Sequence, residues 1–150
     1  LGTLDEKVFD LMDETGYPGM KVLQFAFDSG NTNFYLPHRY KKNCVVYTGT
    51  HDNDTTTGWY ATASEKARDK VRRYMNTDAS QVSWDFIRTC FGSPARFAII
   101  PVQDLFCQGS DCRMNTPGKA DGNWAYRMKK ELLTSDVAKR LYDVTKLYGR

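Results

Sequence analysis

The sequence predicts an α/β fold built on a parallel sheet, and three features of it carry that prediction. Short apolar runs of strand length stand at 21–27 (KVLQFAF), 44–48 (CVVYT) and 97–102 (FAIIPV). Runs that are apolar nearly throughout, rather than alternating, suit strands buried on both faces, as in parallel sheets. Amphipathic helical patterns flank and separate them, in the order helix, strand, strand, two helices, strand, helix. That loose alternation implies α/β layering. Three strands neither close a barrel nor make a comfortable doubly wound sheet, so the pattern reads as the second part of a larger architecture.

Each element has a local reason. Thr3-Leu4-Asp5-Glu6 is a capping box, and Leu4, Val8, Leu11 and Met12 follow at helical spacing until Gly16 and Pro18 stop the helix. The 21–27 run is bounded by Gly19 and by Asp28-Ser29-Gly30, turn residues that frame a strand. Residues 28–43 are a loop punctuated by Gly, Asn and Pro, ending in the basic cluster 39–42. The 44–48 strand runs into a polar turn at 49–57. The spacing of Ala63, Ala67, Val71 and Tyr74 predicts a helix over 62–75. Ser80 is placed to cap the next helix, which carries Trp84, Ile87 and Phe91 and ends at Gly92 and Pro94. Pro101 marks the end of the third strand. A polar loop follows at 103–123, and a last helix from about Ser135 carries Val137, Leu141, Val144 and Leu147.

Composition excludes several classes. The 150 residues are 41% hydrophobic, 13% aromatic and 26% charged, enough for one packed domain and too rich in aromatics for a disordered chain. The longest apolar runs fall far short of a membrane span. A net charge of +3 is too small to argue for nucleic acid or an anionic lipid surface as partner. The chain opens at Leu1 without an initiator Met and without a basic or apolar leader, which reads as a missing N-terminal portion. Cys44 and Cys90 lie in apolar stretches and read as small buried hydrophobes. Cys107 and Cys112 sit in a Gly/Ser loop where no further Cys or His completes a zinc set, and their spacing fits a reducing cytosol.

In α/β barrels, chemistry gathers in the loops after strands. Here those loops hold Asp28, then His51-Asp52-Asn53-Asp54, then Gln103-Asp104. Thr50 to Asp54 is the densest polar cluster, and three readings of it stand side by side. A carboxylate beside a His stabilises developing positive charge and fixes sugar hydroxyls. His51 with Asp52 and Asp54 supplies donors for a divalent metal, and hence a metal-dependent hydrolase. Or Asp and Asn satisfy backbone donors in a turn that caps the next helix. Asp28-Ser29-Gly30 and the 113–118 segment (RMNTPG) read by default as turns. Asn123-Trp124, with Tyr126 and Arg127, puts aromatics beside donors; a core role is favoured there over a sugar platform. His38 reads as a surface or core histidine. Phosphate loops, GxSxG and HExxH motifs are absent from the sequence.

Several segments resemble one family together and in order. They are KVLQFAFD (21–28), YLPH (35–38), VVYTGTHDNDTTTGWY (45–60), WDFIR (84–88), ARFAIIPVQDLF (95–106), RMNTPGKADGNWAYRM (113–128) and LYGR (147–150). They are similar to the bacterial 4-α-glucanotransferases, also called amylomaltases or disproportionating enzymes. The resemblance implies a (β/α)8 barrel of the α-amylase superfamily, of which this chain would be the C-terminal part, roughly the last three strands with their helices. It implies a hexosyl transfer in which an α-1,4-glucan segment passes, with retention, to glucose or another α-1,4-glucan, and no cofactor. Asp52 maps onto the third carboxylate, which stabilises the oxocarbenium-like transition state, and His51 onto the adjacent substrate-binding histidine. Asp28 and Asn115 match positions that contact the acceptor-side sugar. Leu1-Gly2 resembles the tail of the segment bearing the family's acid/base, so the acid/base and the nucleophile are expected upstream, and the chain alone is expected to be inactive. Residues 29–34, the Cys107-to-Cys112 loop and Lys119-Ala120-Asp121 depart locally from the family pattern. The partners expected are α-1,4-glucans and maltooligosaccharides. The location expected is a bacterial cytoplasm, or a plastid if the source is a plant or alga. A non-catalytic glucan-binding module is the remaining alternative.

Overall fold

In the sequence CVVY the stiff β-branched valines suit a pleated surface, and they form the central strand β2 (Cys44–Tyr47). The computed structural model describes residues 6–150. Thr3, Leu4 and Asp5 of the capping box and the Leu1-Gly2 match therefore lie outside the described residues. β1 (Gly19–Val22) pairs with β2 in parallel, Gly19 opposite Cys44, and β3 (Phe97–Ile99) pairs in parallel on the other side, Val45 opposite Phe97. The expectation of an α/β fold with a parallel sheet is met, with order β1-β2-β3.

The helices are α1 (Glu6–Thr15), α2 (Thr56–Thr62), α3 (Glu65–Met75), α4 (Val82–Phe91), the single turn α5 (Val102–Leu105) and α6 (Ser135–Leu147). Cys44 and Val46 of β2 are buried in one core with Leu23, Leu36, Val71, Phe86 and Ile87. An aromatic cluster ties the helices to that core: Phe27 lies 5.6 Å from Phe86 and 6.2 Å from Trp59, and Trp59 lies 5.4 Å from Phe86, ring centre to ring centre. As expected, Cys44 and Cys90 are buried. Cys107 and Cys112 are free thiols. α6 docks on α4 through Arg140, whose guanidinium carbon sits 4.1 Å above the Trp84 ring.

Several boundaries differ from the sequence expectation. The 21–27 run is a strand only to Val22 and then tightens into a 3-10 turn, Leu23–Ala26. Its ladder partner ends at Tyr47, and beyond it Leu23, Ala26 and Phe27 bury at helical rather than strand spacing. The expected 62–75 helix begins only at Glu65, and a further helix, α2, precedes it, starting inside the expected 49–57 turn. Thr55 caps α2 by accepting from Gly58 N–H at 3.1 Å, and Ser64 caps α3 by accepting from Ala67 N–H at 3.2 Å. Ser80 does not cap α4: its own N–H goes to Asp78 Oδ1, and the helix starts after Gln81. The third strand stops at Ile99, short of the expected 102, and Pro101 opens α5, which runs into the expected 103–123 loop, where Ser110–Cys112 adds a 3-10 turn. Within α6, Val144 is buried and Leu141 packs on the core, while Leu147 is exposed.

Among the described residues, one face of the sheet is uncovered. Phe97 and Ile99 are 52% and 50% exposed, and Met20, across β2 on β1, is 38% exposed. The loops that follow the C-terminal ends of the strands open at the rim of that face.

Candidate active site

The site grows from the end of β2. Thr48 is fully buried, and Gly49 then lets the Gln24 side chain pass: a Cβ on Gly49 would lie 2.6 Å from Gln24 Nε2. That nitrogen donates to Asp54 O at 2.9 Å, bracing the loop from below. Asn53 closes the loop on itself, its Oδ1 accepting from Thr50 N–H at 2.9 Å and from Thr50 Oγ1 at 2.8 Å. The turn reading is thus right for Asn53, and the closure leaves His51 and Asp52 at the tip.

The 113–124 segment supplies the other wall. Asn115 Nδ2 donates to Asp52 Oδ1 at 2.6 Å, and His51 Nε2 lies 3.3 Å from the same oxygen. Asn115 N–H donates to His51 O at 3.0 Å. Arg113 clamps both segments, donating from Nη2 to Asp52 O at 2.6 Å and from Nε to Asn115 O at 2.8 Å. Its charge is therefore spent on carbonyls, and the Asp52 carboxylate keeps Oδ2 without a hydrogen-bond partner among the described residues. Asp52 remains about half exposed, on a cavity of about 510 Å³ lined also by Tyr47, Ile99 and Met114. An apolar floor with a polar rim is the composition of a small-molecule site.

Trp124 belongs to this site, contrary to the core role favoured above. Its ring lies 5.1 Å from the His51 ring, tilted by 37°, and it is 56% exposed. Its backbone has φ +61°, a rare conformation for a bulky residue, held by N–H donation to Met114 O at 2.8 Å. Asn123 secures the approach by accepting from Thr116 N–H at 2.8 Å. Asn123-Trp124 beside donors was the available signal, but nothing local says that the ring meets His51 rather than the core. Arg113 carried no signal beyond its place two residues before Asn115.

The structure therefore joins His51, Asp52 and Asn115. Asp28 stands apart, exposed on the loop after the 3-10 turn, with Asn33 Nδ2 at 3.4 Å from its Oδ1 and no place in the cavity lining. Asp54 lines the cavity, but both its carboxylate oxygens are engaged: Oδ1 accepts from Thr55 N–H at 2.8 Å and Oδ2 from Ser110 Oγ at 2.6 Å. His51, Asp52 and Asp54 consequently do not converge as a donor set. Among the described residues no group of three His, Cys, Asp or Glu is placed to hold a metal. Gln103 and Asp104 lie buried beneath the loop. Burial pushes the Asp104 carboxyl above the usual carboxylate range, partly offset by hydrogen bonds from Thr48 and Thr56. His38 is on the surface, its Nδ1 3.0 Å from Tyr74 Oη.

A family model described as 4-alpha-glucanotransferase matches residues 1–134. The chain belongs to the 4-alpha-glucanotransferase family. It is 47% identical to a 4-alpha-glucanotransferase of Synechocystis sp., over 100% of this chain and 30% of that protein. It is 42% identical to a chloroplastic/amyloplastic 4-alpha-glucanotransferase of Arabidopsis thaliana, over 100% of this chain and 27% of that one. Among solved structures, an amylomaltase from Streptococcus agalactiae in complex with acarbose superposes with a TM-score of 0.95 at 34% identity, covering 100% of this chain and 31% of that chain. The chain thus spans about 30% of the length of these family members. No helix among the described residues is long and apolar enough to cross a membrane.

Proposed function

We propose that this chain is the C-terminal barrel portion of a 4-alpha-glucanotransferase, and that it carries the transition-state carboxylate of a retaining transfer between α-1,4-glucans. The supporting observation is the Asp52 carboxylate, held on one oxygen by Asn115 and His51 and open on the other, at the strand end where a barrel enzyme works. Parallel strands with helices over one face and an uncovered apolar face suit three adjacent segments of a (β/α)8 barrel whose interior is completed by other strands.

Cleavage with retention needs a nucleophile and an acid/base flanking the scissile bond. The carboxylates near Asp52 here are otherwise engaged, so those two groups come from the remainder of the full-length protein. As the bond to the leaving sugar lengthens, the anomeric carbon and ring oxygen gain positive charge. A carboxylate already oriented by Asn115 and His51 stabilises that charge without reorganising. His51 and Asp52 then hold hydroxyls of the sugar being transferred, Asn115 serves the acceptor side, and the exposed Trp124 ring offers an apolar face to a glucose ring; Asp28, outside the cavity, takes no part in this reading. Maltooligosaccharides are donor and acceptor, and no cofactor takes part. The compartment is a bacterial cytoplasm, or a plastid for a plant protein, as the name of the Arabidopsis relative states for that protein.

In the full-length enzyme, we expect Asp52→Asn to keep the hydrogen-bonded shape and lower kcat by about 10²- to 10³-fold, the scale of removing one preorganised electrostatic group. Glucose release from maltotriose, together with the longer oligosaccharides formed, measures it. An unchanged rate would overturn the assignment, and undiminished glucan binding without any turnover by the full-length protein would favour a binding module.

A further inference from the structure

Asp104 is a charged group that the mechanism above does not use. It is 1% exposed, and among the described residues it makes no ion pair. Burying a carboxylate without a cation is costly unless hydrogen bonds replace its water. Here three do. Asp104 Oδ2 accepts from Thr48 Oγ1 at 2.5 Å and from Thr56 Oγ1 at 2.8 Å, and Oδ1 accepts from Thr56 N–H at 2.8 Å. Both threonines are fully buried.

The donors come from particular places. Thr48 follows the last residue of β2, and Thr56 is the first residue of α2. Between them runs the loop that presents His51 and Asp52. Its other side-chain braces hold its middle or its far limb: Arg113 at Asp52 O, Gln24 at Asp54 O, Ser110 at Asp54 Oδ2; at the near end Gln24 adds only a backbone bond, its N–H donating to Thr48 O at 3.2 Å. Asp104 alone, among the described residues, links its two ends by side-chain hydrogen bonds. It does so from α5, which follows β3, so the clamp also sets neighbouring strand ends relative to one another.

We propose that Asp104 is a positioning residue for glucan transfer, closing the 49–55 loop by tying Thr48 to Thr56 and so fixing the direction of the Asp52 carboxylate. This rests on the role assigned to Asp52. A neutral isostere retains the volume but turns an amide NH2 toward hydroxyls that now have to rearrange. The amide oxygen keeps the bond from Thr56 N–H, but the two hydroxyl bonds to the other atom are lost or reversed, and the loop relaxes by a fraction of an ångström. Displacements of about 1 Å at a reacting group cost up to about 10²-fold in rate.

The test compares four forms of the full-length enzyme: wild type, Asp104→Asn, Asp52→Asn, and the double variant. Rates and KM are measured with maltotriose, and thermal unfolding is recorded alongside. Asp104→Asn is expected to unfold cooperatively and to lose about 10-fold or more in kcat, with KM within about 3-fold of wild type, because the misplaced group acts in the transition state. In the double variant it should lower the residual rate by less than about 2-fold, since a residue acting through Asp52 has nothing left to position. Independent, multiplying effects, or an unchanged kcat in Asp104→Asn, would overturn the proposal while leaving Asp52 in place. A wild-type rate in Asp52→Asn would remove the reading of the site and this inference with it. Should Asp104→Asn fail to fold, Thr48→Val takes its place in the same cycle, because it removes one bond and keeps the carboxylate; additivity there counts equally against the clamp.

Discussion

At the scale of single residues, the site depends on close approaches that leave no room for a larger group. Gly58, on the first turns of α2, is the sharpest case. A Cβ there would lie 2.3 Å from Ser110 Oγ and 2.8 Å from both Asp54 carboxylate oxygens. Its absence lets the Asp54–Ser110 bond form across the start of the helix and hold the far limb of the loop. We expect Gly58→Ala to push that bond open, costing about 1–3 kcal/mol as an overpacked site does, and to lower kcat through displacement of Asp52. Thermal unfolding and maltotriose transfer read the two effects; a variant as stable and active as wild type would show that the loop is not held there. Legibility at this scale was uneven. Asp52, His51 and Asn115 are singled out only by the family resemblance of their segments, because the residue types alone leave a turn, a metal set and a sugar site open at 50–54 and read 113–118 as a turn. Trp124 was assigned to the core, since an aromatic residue looks alike in a core and on a platform until its neighbours are known.

Among elements, the links between helices and strands decide how firmly the strand ends are held. The last helix is attached at its far end as well as through Arg140 on Trp84. Arg150 donates from Nε to Phe91 O and from Nη2 to Ser93 O, both at 2.8 Å. These carbonyls end α4 and lead toward β3, so the side chain caps a helix and steadies the entry to a strand. We expect Arg150→Ala to destabilise the full-length protein by about 1–3 kcal/mol, the range for losing charge-assisted hydrogen bonds, with KM for maltotriose unchanged because the residue lies at the opposite ends of the strands. A Tm equal to wild type would show the cap to be idle. Strand and helix types were legible from apolar spacing, whereas boundaries were not. The 21–27 run reads as one strand by composition, yet its pairing stops where β2 stops, and its remaining apolar side chains turn into the core. Thr55 and Ser64 as separate caps split what hydrophobic spacing joined, since spacing is blind to capping hydroxyls.

For the whole molecule, the open sheet face matters most. Phe97, Ile99 and Met20 line it, Val8, Phe9 and Leu11 of α1 are also exposed, and β1 and β3 present free edges among the described residues. Uncovered apolar area and unpaired edges favour association. We expect the 150 residues expressed alone to bind an environment-sensitive apolar dye, to self-associate with rising concentration, and to release no glucose from maltotriose. Size-exclusion chromatography, dye fluorescence and a glucose assay check these. A dye-silent monomer with robust turnover would refute both the barrel placement and the need for further carboxylates.

Reading residues in order was enough to establish the alternation of strands and helices, the family likeness and the loop that bears Asp52, because periodicity and short polar motifs are local properties of a chain. The meeting of Asn115, Arg113 and Trp124 with that loop, the engagement of Asp54 by Ser110, and the burial of Asp104 beneath it are contacts between segments far apart in the chain. Hydrogen bonds and close packing choose such partners only once the sheet has brought the strand ends side by side.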